Sequence, residues 1–232
     1  MQLFFNMLLA HLVGDFYLQT DKSCEAKRKG IRSVHHYIHA LVIFAVSMLL
    51  SNDFQSFWLY ALVIALAHLV VDCLKSYVRK RDLAAFCVDQ LLHIAVLVAV
   101  VWFYLRQHPS WSQFAFLPDA RMVVAACCLI VCCKPANILI KLVLERYRIE
   151  VPASKGRELN NAGALIGCLE RVLCLVFVVL NQYEAIGFVI AAKSILRFKD
   201  GETAKTEYVL VGTLLSFGIA IAAGLALKYV II

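Results

Sequence analysis

The sequence predicts an all-α protein, a polytopic bundle that crosses a membrane about eight times. Hydrophobic residues make up 62% of its 232 residues, and its mean hydropathy is +0.78. A soluble domain of this size is nearer to roughly 45–50% apolar. Apolar runs of about 20 residues, the length of a membrane-spanning helix, recur along the whole chain. These runs leave no room for a separate soluble domain.

Eight apolar segments account for the predicted spans. They cover residues 2–18, 33–51, 57–77, 83–105, 120–144, 161–181, 184–198 and 207–231. The fifth segment should kink at Lys134-Pro135, because proline lacks a backbone donor. The seventh is short enough to be tilted or re-entrant. We group the first four spans as a unit over residues 1–106 and the last four over 107–232, within one membrane domain.

The distribution of basic residues predicts the orientation of the chain. The loops after segments one, three, five and seven contain most of the lysines and arginines: Lys22, Lys27, Arg28, Lys29, Arg32, Lys75, Arg79, Lys80, Arg81, Arg146, Arg148, Lys155, Arg157, Arg197, Lys199 and Lys205. The opposite side has little more than Arg106, Arg121 and Lys228. The positive-inside rule therefore places those four loops in the cytoplasm and both termini outside. The net charge of +7 is then a topology signal and does not indicate nucleic-acid binding.

The nine cysteines indicate neither a disulfide framework nor a zinc motif. All except Cys24 lie within apolar runs, and the word CCLIVCC lacks the CxxC spacing of zinc ligands. Buried thiols behave as small hydrophobic groups, so we interpret these cysteines as packing residues.

Pairs of histidine and aspartate mark the first half of the chain. The words AHLVGD and AHLVVD contain His11 with Asp15 and His68 with Asp72, four residues apart. Four residues are about one helical turn, so each pair lies on one helix face. Ionisable side chains within membrane helices are costly and by default indicate a functional site.

These polar groups fall at one depth, because successive helices run in opposite directions. The residues expected to meet in this layer are His11, Asp15, His39, His68, Asp72, Asp89 and His93. Imidazole and carboxylate suit Zn²⁺, Mn²⁺ or Fe²⁺, and seven groups exceed the needs of one tetrahedral ion. The layer therefore predicts a site for two divalent transition-metal ions, with no catalytic residue assigned. The alternative is a set of His–Asp pairs that hold helices together.

Four basic residues beside this layer are candidates for substrate binding. They are Lys22, Arg32, Lys75 and Arg79. They could hold a phosphate or a lipid headgroup, so membrane lipid is the expected partner. Their alternative role is to set topology and attract anionic lipid.

The second half of the chain contains a second polar network. Its members are Glu170, Arg171, Glu184 and Lys193. Adjacent helical residues diverge by about 100° and are poor partners. We therefore consider inter-helix pairs between Arg171 and Glu184 or between Glu170 and Lys193. These groups serve either as structural ion pairs or as a path for substrate or protons.

A stripe of small residues lies on the last segment. Gly212, Ser216, Ala220 and Gly224 repeat at four-residue spacing, which lets another helix approach closely. The partner helix belongs either to the same chain or to a second subunit, so a homo-oligomer through this stripe is one expectation.

Six stretches resemble an uncharacterised family of bacterial integral membrane proteins, classed as a domain of unknown function. They are LLAHLVGDFYLQTDK, HLVVDCLK, DQLLH, GCLERVL, QYEAIGFVIAAKSILRFKD and EYVLVGTLLSFGIA. This resemblance covers nearly the whole chain and implies a multi-pass protein of the bacterial inner membrane. It implies no particular activity.

The HLxxD words also resemble those of predicted membrane-bound metal-dependent hydrolases, a group linked to the zinc phospholipase C and P1 nuclease fold. This resemblance implies that the pairs at His11–Asp15 and His68–Asp72 hold metal ions that split phosphodiesters. The pair at Asp89–His93 runs in the reverse order, and the remaining ligands of that fold have no counterpart here.

Three functions are compatible with such a layer. The first is a metal-dependent hydrolase, dinuclear and acting on a lipid phosphoester or ester at the cytoplasmic leaflet. The second is a transporter or channel for a divalent cation or proton, and the third is a metal-stabilised scaffold. A conduction path would need polar groups in the outer half of the first four segments, where only Asn6, Ser47 and Tyr60 are available.

Overall fold

The computed structural model describes residues 1–27, 33–78, 82–109, 119–147, 162–197 and 203–231, and helices are the only regular secondary structure within them. The prediction of an all-α protein is confirmed. The helices are α1 (Gln2–Val13), α2 (Asp21–Lys27), α3 (Val34–Ser51), α4 (Trp58–Tyr77), α5 (Leu83–Gln107), α6 (Ala120–Cys132), α7 (Lys134–Arg146), α8 (Ala162–Val179), α9 (Tyr183–Arg197) and α10 (Thr203–Ile231). A π-helical turn, Gly14–Leu18, continues α1.

Among the described residues, five helical stretches are long and apolar enough to cross a membrane. They are Val34–Ser51, Trp58–Tyr77, Leu83–Gln107, Ala120–Arg146 and Tyr208–Val230. Large apolar side chains lie exposed along them, such as Leu41 at 66% and Leu91 at 64%. Such surfaces suit contact with lipid tails. These features are consistent with a membrane protein, while the count of eight spans stays a prediction.

The fifth predicted segment is broken where a kink was expected. The helix ends at Cys132 and restarts at Lys134, and Cys133 between them has φ −96° and ψ −107°. Pro135 lies in the first turn of α7, where its missing N–H costs no intrahelical hydrogen bond. The predicted kink is confirmed.

The polar loop predicted after the first segment contains the short helix α2. The hydroxyl of Thr20 caps it by accepting a hydrogen bond from the backbone of Ser23 at 3.3 Å. Helix α2 packs against α3, and Lys27 at its end is buried. A helix of seven residues is too short to show a clear apolar periodicity, which is why the sequence did not predict it.

The chain forms two compact units, unit 1 from Met1 to Cys127 and unit 2 from Cys128 to Ile232. Unit 1 contains the predicted first unit, residues 1–106, and extends into α6. The boundary that we placed between residues 106 and 107 stays a prediction.

Neighbouring helices in unit 1 run in opposite directions. Asn6, near the start of α1, donates a hydrogen bond to the carbonyl of Leu50 at the end of α3, at 3.0 Å. Tyr60, near the start of α4, donates to Gln107 at the end of α5, at 2.6 Å. The end of α1, the start of α3, the end of α4 and the start of α5 therefore meet at the other end of the unit.

An apolar cluster fills the half of unit 1 away from that end. Its buried members are Leu3, Met7, Ile43, Phe57, Ala61, Ile64, Leu97, Val100, Val101 and Tyr104. These residues precede the histidines on α1 and α4 and follow them on α3 and α5. The cluster thus packs the four helices together and fixes the depth at which the polar side chains meet.

Candidate metal centre

The structure brings the seven predicted metal ligands together at one end of unit 1. We call these residues the His/Asp layer. Six of them are buried: His11, His39, His68, Asp72, Asp89 and His93. The seventh, Asp15, has a side chain that is only 10% exposed. Four helices and the π-helical turn therefore contribute to one polar site within an apolar unit.

Asp15 is the acceptor around which the first half of the layer is arranged. Its Oδ1 lies 3.1 Å from Nε2 of His39 and 3.1 Å from Nε2 of His68. The two imidazole nitrogens are 3.0 Å apart, and Nδ1 of His11 is 3.9 Å from the same oxygen. Nitrogen and oxygen atoms from α1, α3 and α4 thus converge on one point.

A close approach of two helices positions Asp15. Gly14, the preceding residue, faces α3, and a Cβ atom there would collide with Cδ1 of Ile43. Glycine therefore lets the π-helical turn lie against α3 without displacing the Ile43 side chain. Such turns within helices occur frequently at functional sites, and this one carries Asp15.

Three imidazole rings pack against one another in the centre of the layer. The rings of His68 and His93 are stacked, with centroids 3.9 Å apart and planes 18° apart. The ring of His11 lies 5.1 Å from that of His93 and 5.6 Å from that of His68. The three imidazoles therefore lie close enough together to act as ligands of the same metal ion or of neighbouring ions.

Gln90 links two members of the layer and was missed by the sequence analysis. Its Oε1 is 3.3 Å from Nε2 of His11, and its Nε2 donates to Oδ2 of Asp89 at 3.2 Å. The amide thus orients one imidazole and one carboxylate, as groups around metal ligands commonly do. Its place next to Asp89 in the word DQLLH was the available signal.

Asp89 and His93 present two buried atoms that lack hydrogen bonds to described residues. Oδ1 of Asp89 and Nε2 of His93 are 3.6 Å apart, longer than a hydrogen bond. Two ligand atoms about 2.0–2.1 Å from one tetrahedral ion lie about 3.4 Å apart. The spacing of these two atoms is therefore compatible with two ligands of one ion.

The layer divides into three groups that could each hold a metal ion. Within each group the ligand atoms all lie within 4.8 Å of one another. The groups are His11, Asp15 and His68; His39, His68 and Asp72; and Asp72, Asp89 and His93. Because His68 and Asp72 each belong to two groups, the groups form one continuous chain of ligands.

Two lysines balance the charge of the carboxylates. Lys27, which is 7% exposed, forms an ion pair with Oδ2 of Asp72. Lys75 lies 2.5 Å from Oδ2 of Asp89, and its side chain is 39% exposed. A buried charge needs such a partner, because an unpaired one is strongly unfavourable in an apolar interior. The sequence analysis counted Lys27 only as a topology residue, since its burial depends on the packing of α2.

The four candidate substrate-binding residues differ in where they lie relative to the His/Asp layer. Lys75 lies beside the layer, bound to Asp89. Lys22 is exposed, and no contact with the layer is seen for it. Arg32 and Arg79 lie outside the described residues.

A polar cavity of about 70 Å³ lies next to Asp72. Its lining includes Gln19, Lys27, His36, Asp72, Lys75 and Ser76. His36 is buried, and its Nε2 is 3.3 Å from the hydroxyl of Ser76. His35 and His36 lie at the start of the second predicted segment, where polar residues commonly face lipid headgroups. His35 is indeed exposed, but His36 lies on the same face as His39, as its i, i+3 spacing could have indicated.

A second, much smaller cavity lies on the other side of the layer. Its volume is about 10 Å³, near the minimum of about 10–15 Å³ for one water molecule. His11, His68 and His93 line it together with Ser47. The layer therefore separates a polar cavity near α2 from the apolar half of the unit.

The second polar network forms in part. In unit 2, Lys193 forms an ion pair with Glu170 at 2.5 Å, one of the two pairings considered. The other is wrong: Glu184 is exposed, and Arg171 binds neutral groups instead. Nothing in this arrangement gathers the four residues at one site.

Arg171 is buried at the break between α6 and α7. Its guanidinium donates hydrogen bonds to the carbonyl of Cys132, to the hydroxyl of Ser216 at 2.9 Å and to Oδ1 of Asn137 at 2.5 Å. Carbonyls at a helix end lack intrahelical donors, and here a side chain supplies one. Its role is therefore structural.

The small-residue stripe of α10 packs against α8 of the same chain. A Cβ atom at Gly224 would lie 2.7 Å from Cβ of Val178, and Ser216 is the residue that accepts from Arg171. Ala220, between them, is fully buried. An oligomer that used this stripe would have to displace α8.

The fold and this layer define a helical protein of membrane type with a buried His/Asp cluster. Its sequence matches the model of the family described as "Protein of unknown function (DUF3307)" over residues 3–121, just over half of the chain. The chain belongs to this family, which confirms the resemblance to a domain of unknown function. All seven residues of the His/Asp layer lie within the match.

No curated protein and no solved structure matches the chain significantly. The resemblance to membrane-bound metal-dependent hydrolases therefore rests on the HLxxD words alone.

Proposed function

We propose that the protein is an integral membrane hydrolase with a dinuclear transition-metal centre. It acts on a lipid phosphoester or ester at the cytoplasmic leaflet of the bacterial inner membrane. The observation that carries this proposal is the gathering of seven imidazole and carboxylate side chains into three overlapping ligand groups. Zn²⁺, Mn²⁺ and Fe²⁺ all suit such nitrogen and oxygen ligands.

The ligand groups support two ions. The group of His11, Asp15 and His68 shares no member with that of Asp72, Asp89 and His93. The seventh residue, His39, lies between them, with Nε2 at 3.1 Å from Asp15 and 3.9 Å from Asp72. Each ion would therefore have three protein ligands, and His39 could complete either set.

Hydrolysis is the chemistry that such a pair of ions would supply. Metal-bound water loses its proton near neutral pH, and two ions can stabilise the attacking and leaving oxygens of an ester. Lys27 and Lys75 lie beside the carboxylate ligands and line the adjacent polar cavity. They would bind the negative charge of the substrate.

The orientation predicted from the basic loops supports chemistry at the inner leaflet. The His/Asp layer lies at the end of unit 1 where the basic loops after the first and third segments begin. Such loops favour the cytoplasm and attract anionic headgroups. A substrate would then reach the layer from the cytoplasmic side, with both termini of the chain outside.

The apolar half of unit 1 favours hydrolysis over transport. The apolar cluster fills that half. Two of the polar residues there bind across helices, since Asn6 donates to Leu50 and Tyr60 donates to Gln107, while Ser47 lines the small cavity of about 10 Å³. The described part of unit 1 therefore offers no continuous polar path from the layer to the opposite side.

Metal analysis of the detergent-purified protein tests the proposal. We expect about two equivalents of a transition metal, lost in the double variant His68→Ala/Asp72→Ala. A matched control is His35→Ala/Glu145→Ala, whose side chains are exposed. Absence of bound metal, together with a melting temperature that does not change in chelator, would contradict the proposal. It would support the alternative that the His–Asp pairs only hold the helices together.

A second measurement separates the enzyme from the transporter. The metal-loaded protein should hydrolyse a short-chain phospholipid or an aryl phosphoester in detergent. The same double variant should abolish this activity. Uptake of the metal ion into proteoliposomes without any hydrolysis would instead support the transporter.

A further inference from the structure

We propose that the polar cavity beside Asp72 is a phosphate-binding subsite formed by Lys27, His36 and Ser76. This inference rests on the proposed hydrolase and narrows its substrate from esters in general to phosphoesters. It also replaces the exposed Lys22 with the buried Lys27 as the basic residue that binds the substrate.

The size of the cavity fits a tetrahedral anion. Its volume is about 70 Å³, room for roughly five water molecules when each needs about 10–15 Å³. A phosphate group has five non-hydrogen atoms. The side chain of Lys75, which is 39% exposed, also lines the cavity, so a ligand can enter past it from the surface.

The lining supplies the donors that a phosphate group requires. A lysine ammonium has three N–H donors, so the ion pair with Asp72 leaves Lys27 with donors for a second oxyanion. Lys75 adds a second cation to the same cavity. Charge-assisted hydrogen bonds to phosphate are among the stronger interactions in proteins.

His36 and Ser76 supply further polar contacts. The imidazole of the buried His36 lines the cavity and interacts with the backbone of Lys27. The hydroxyl of Ser76 lies 3.3 Å from Nε2 of His36 and donates to the carbonyl of Asp72 at 3.1 Å. The imidazole and the hydroxyl therefore add two polar groups to the lining of the cavity, beside the two lysines.

The position of the cavity connects it to the metal ligands. Asp72 belongs both to the cavity lining and to two of the three ligand groups. A phosphate group bound by Lys27 would therefore lie beside the carboxylate that two ions can share. When a metal ion takes over Asp72, the ammonium of Lys27 is released toward the anion, so metal binding should strengthen phosphate binding.

The experiment measures binding of inorganic phosphate to the full-length protein by calorimetry, in metal-loaded and in chelator-treated samples. We expect Lys27→Met to lower phosphate affinity by about tenfold or more, as for loss of a hydrogen bond to a charged group. His36→Leu, which breaks no ion pair, should lower it by a smaller factor. Lys141→Met, an exposed lysine in unit 2, is the matched control and should bind as the unmodified protein does.

A second experiment tests whether the bound phosphate group belongs to a lipid or is free in solution. The protein is placed in phosphatidylcholine nanodiscs with or without phosphatidic acid. Protection of the wild type from thermal unfolding by phosphatidic acid, weakened in Lys27→Met and His36→Leu, would identify a lipid phosphate as the ligand. Binding of inorganic phosphate alone would identify a free phosphate.

The outcomes distinguish this inference from the proposed function. Two bound metal ions with equal phosphate affinity in wild type, Lys27→Met and His36→Leu would overturn the subsite and leave the metal centre. No phosphate binding in either sample would overturn the subsite as well. Phosphate binding that depends on Lys27 and His36, in a protein that takes up no metal when metal is added, would support the subsite and contradict the dinuclear centre.

Discussion

At one end of unit 1, hydrogen bonds stabilise the ionised carboxylate of a single residue, Asp53. It lies in the turn between α3 and α4, outside the candidate membrane spans. Partial burial acts to raise the pKa of its carboxyl group. Hydrogen bonds from the Tyr104 hydroxyl at 2.6 Å and the Ser56 backbone at 3.0 Å outweigh it, so the pKa lies below the usual 3.8. The carboxylate form is therefore favoured in the folded protein.

This shift predicts a pH dependence of stability. The pKa is lower in the folded than in the unfolded protein, so the interaction contributes fully above the unfolded value of 3.8 and is lost as the pH falls through the folded value. Asp53→Asn should remove that part of the acid dependence. The measurement is the melting temperature in detergent between neutral and acidic pH, with the exposed Asp21→Asn as control. Identical acid profiles for Asp53→Asn and wild type would contradict the prediction.

Spacing and depth identified the residues of the His/Asp layer but not the residues that support them. Each His–Asp pair has helical spacing, and all lie at one end of their segments, so their convergence follows from alternating helix direction. Lys27 and Gln90 have no such pattern. Their places depend on how α2 folds back on α3 and on which way the Gln90 amide points, and both are set by tertiary packing.

Among the elements, the π-helical turn at Gly14–Leu18 is the one most closely tied to the site. It lies against α3 because Gly14 has no side chain, and this closeness lets Asp15 reach His39 at 3.1 Å. A larger residue would push the turn and the carboxylate away from the imidazoles.

Gly14→Ala should therefore lower both stability and metal content. Overpacking of this kind costs about 1–3 kcal/mol. Ile43→Val removes the Cδ1 atom that would collide, at a cost of about 0.5–1.5 kcal/mol on its own. The double variant should recover metal content relative to Gly14→Ala, as measured by metal analysis and thermal unfolding. Additive losses in the double variant would show that the collision is not the cause.

A second element that bears on the fold is the helix break between α6 and α7, which lies in unit 2. Proline at position 135 predicted the break, but not the buried guanidinium that accompanies it. Arg171 binds the last carbonyl of α6 and also Asn137 in α7, so one side chain holds both halves of the broken helix. Its partners lie in α6, α7 and α10, each at least 34 residues away from Arg171 in the sequence. Sequence spacing therefore could not identify them, and the expected pairing with Glu184 was wrong.

Replacement of Arg171 should destabilise unit 2. Arg171→Met removes the donors to the Cys132 carbonyl and to Oδ1 of Asn137, and one hydrogen bond to a charged group is worth about 1.5–3 kcal/mol. Arg171→Lys should recover only part of this, because an ammonium lacks the planar fork that reaches separated acceptors. Thermal unfolding in detergent measures the loss, with Lys141→Met as control. Full stability of Arg171→Met would exclude the proposed role.

At the scale of the whole molecule, composition determined the fold class. A chain that is 62% hydrophobic with recurrent apolar runs can satisfy its backbone in lipid only as helices or a closed barrel, and the run lengths match helices. The extent of each compact unit is harder to predict, because α6 belongs to both units. The hydropathy pattern predicts the length of a helix but not which other helices pack against it.

Under the proposed function, metal ions bound in the His/Asp layer should stabilise the protein as a whole. A ligand that binds only the folded state adds about 2.7 kcal/mol when its concentration is 100 times its dissociation constant. We therefore expect the melting temperature in detergent to rise with Zn²⁺ or Mn²⁺ and to fall with chelator. His68→Ala should remove the response, since His68 belongs to two ligand groups. A response that persists in this variant would place the ion elsewhere.

The ion pairs of unit 1 also bear on how the protein is made. Lys27 neutralises Asp72, Lys75 neutralises Asp89, and Asp15 is held by imidazoles. Lys27 and Lys75 thus supply a counter-charge for Asp72 and Asp89 from the same polypeptide, while Asp15 lies within hydrogen-bonding distance of two imidazoles. Under the proposed function, the helices can therefore assemble before any ion binds, and the supply of metal would control when the protein becomes active and not whether it folds.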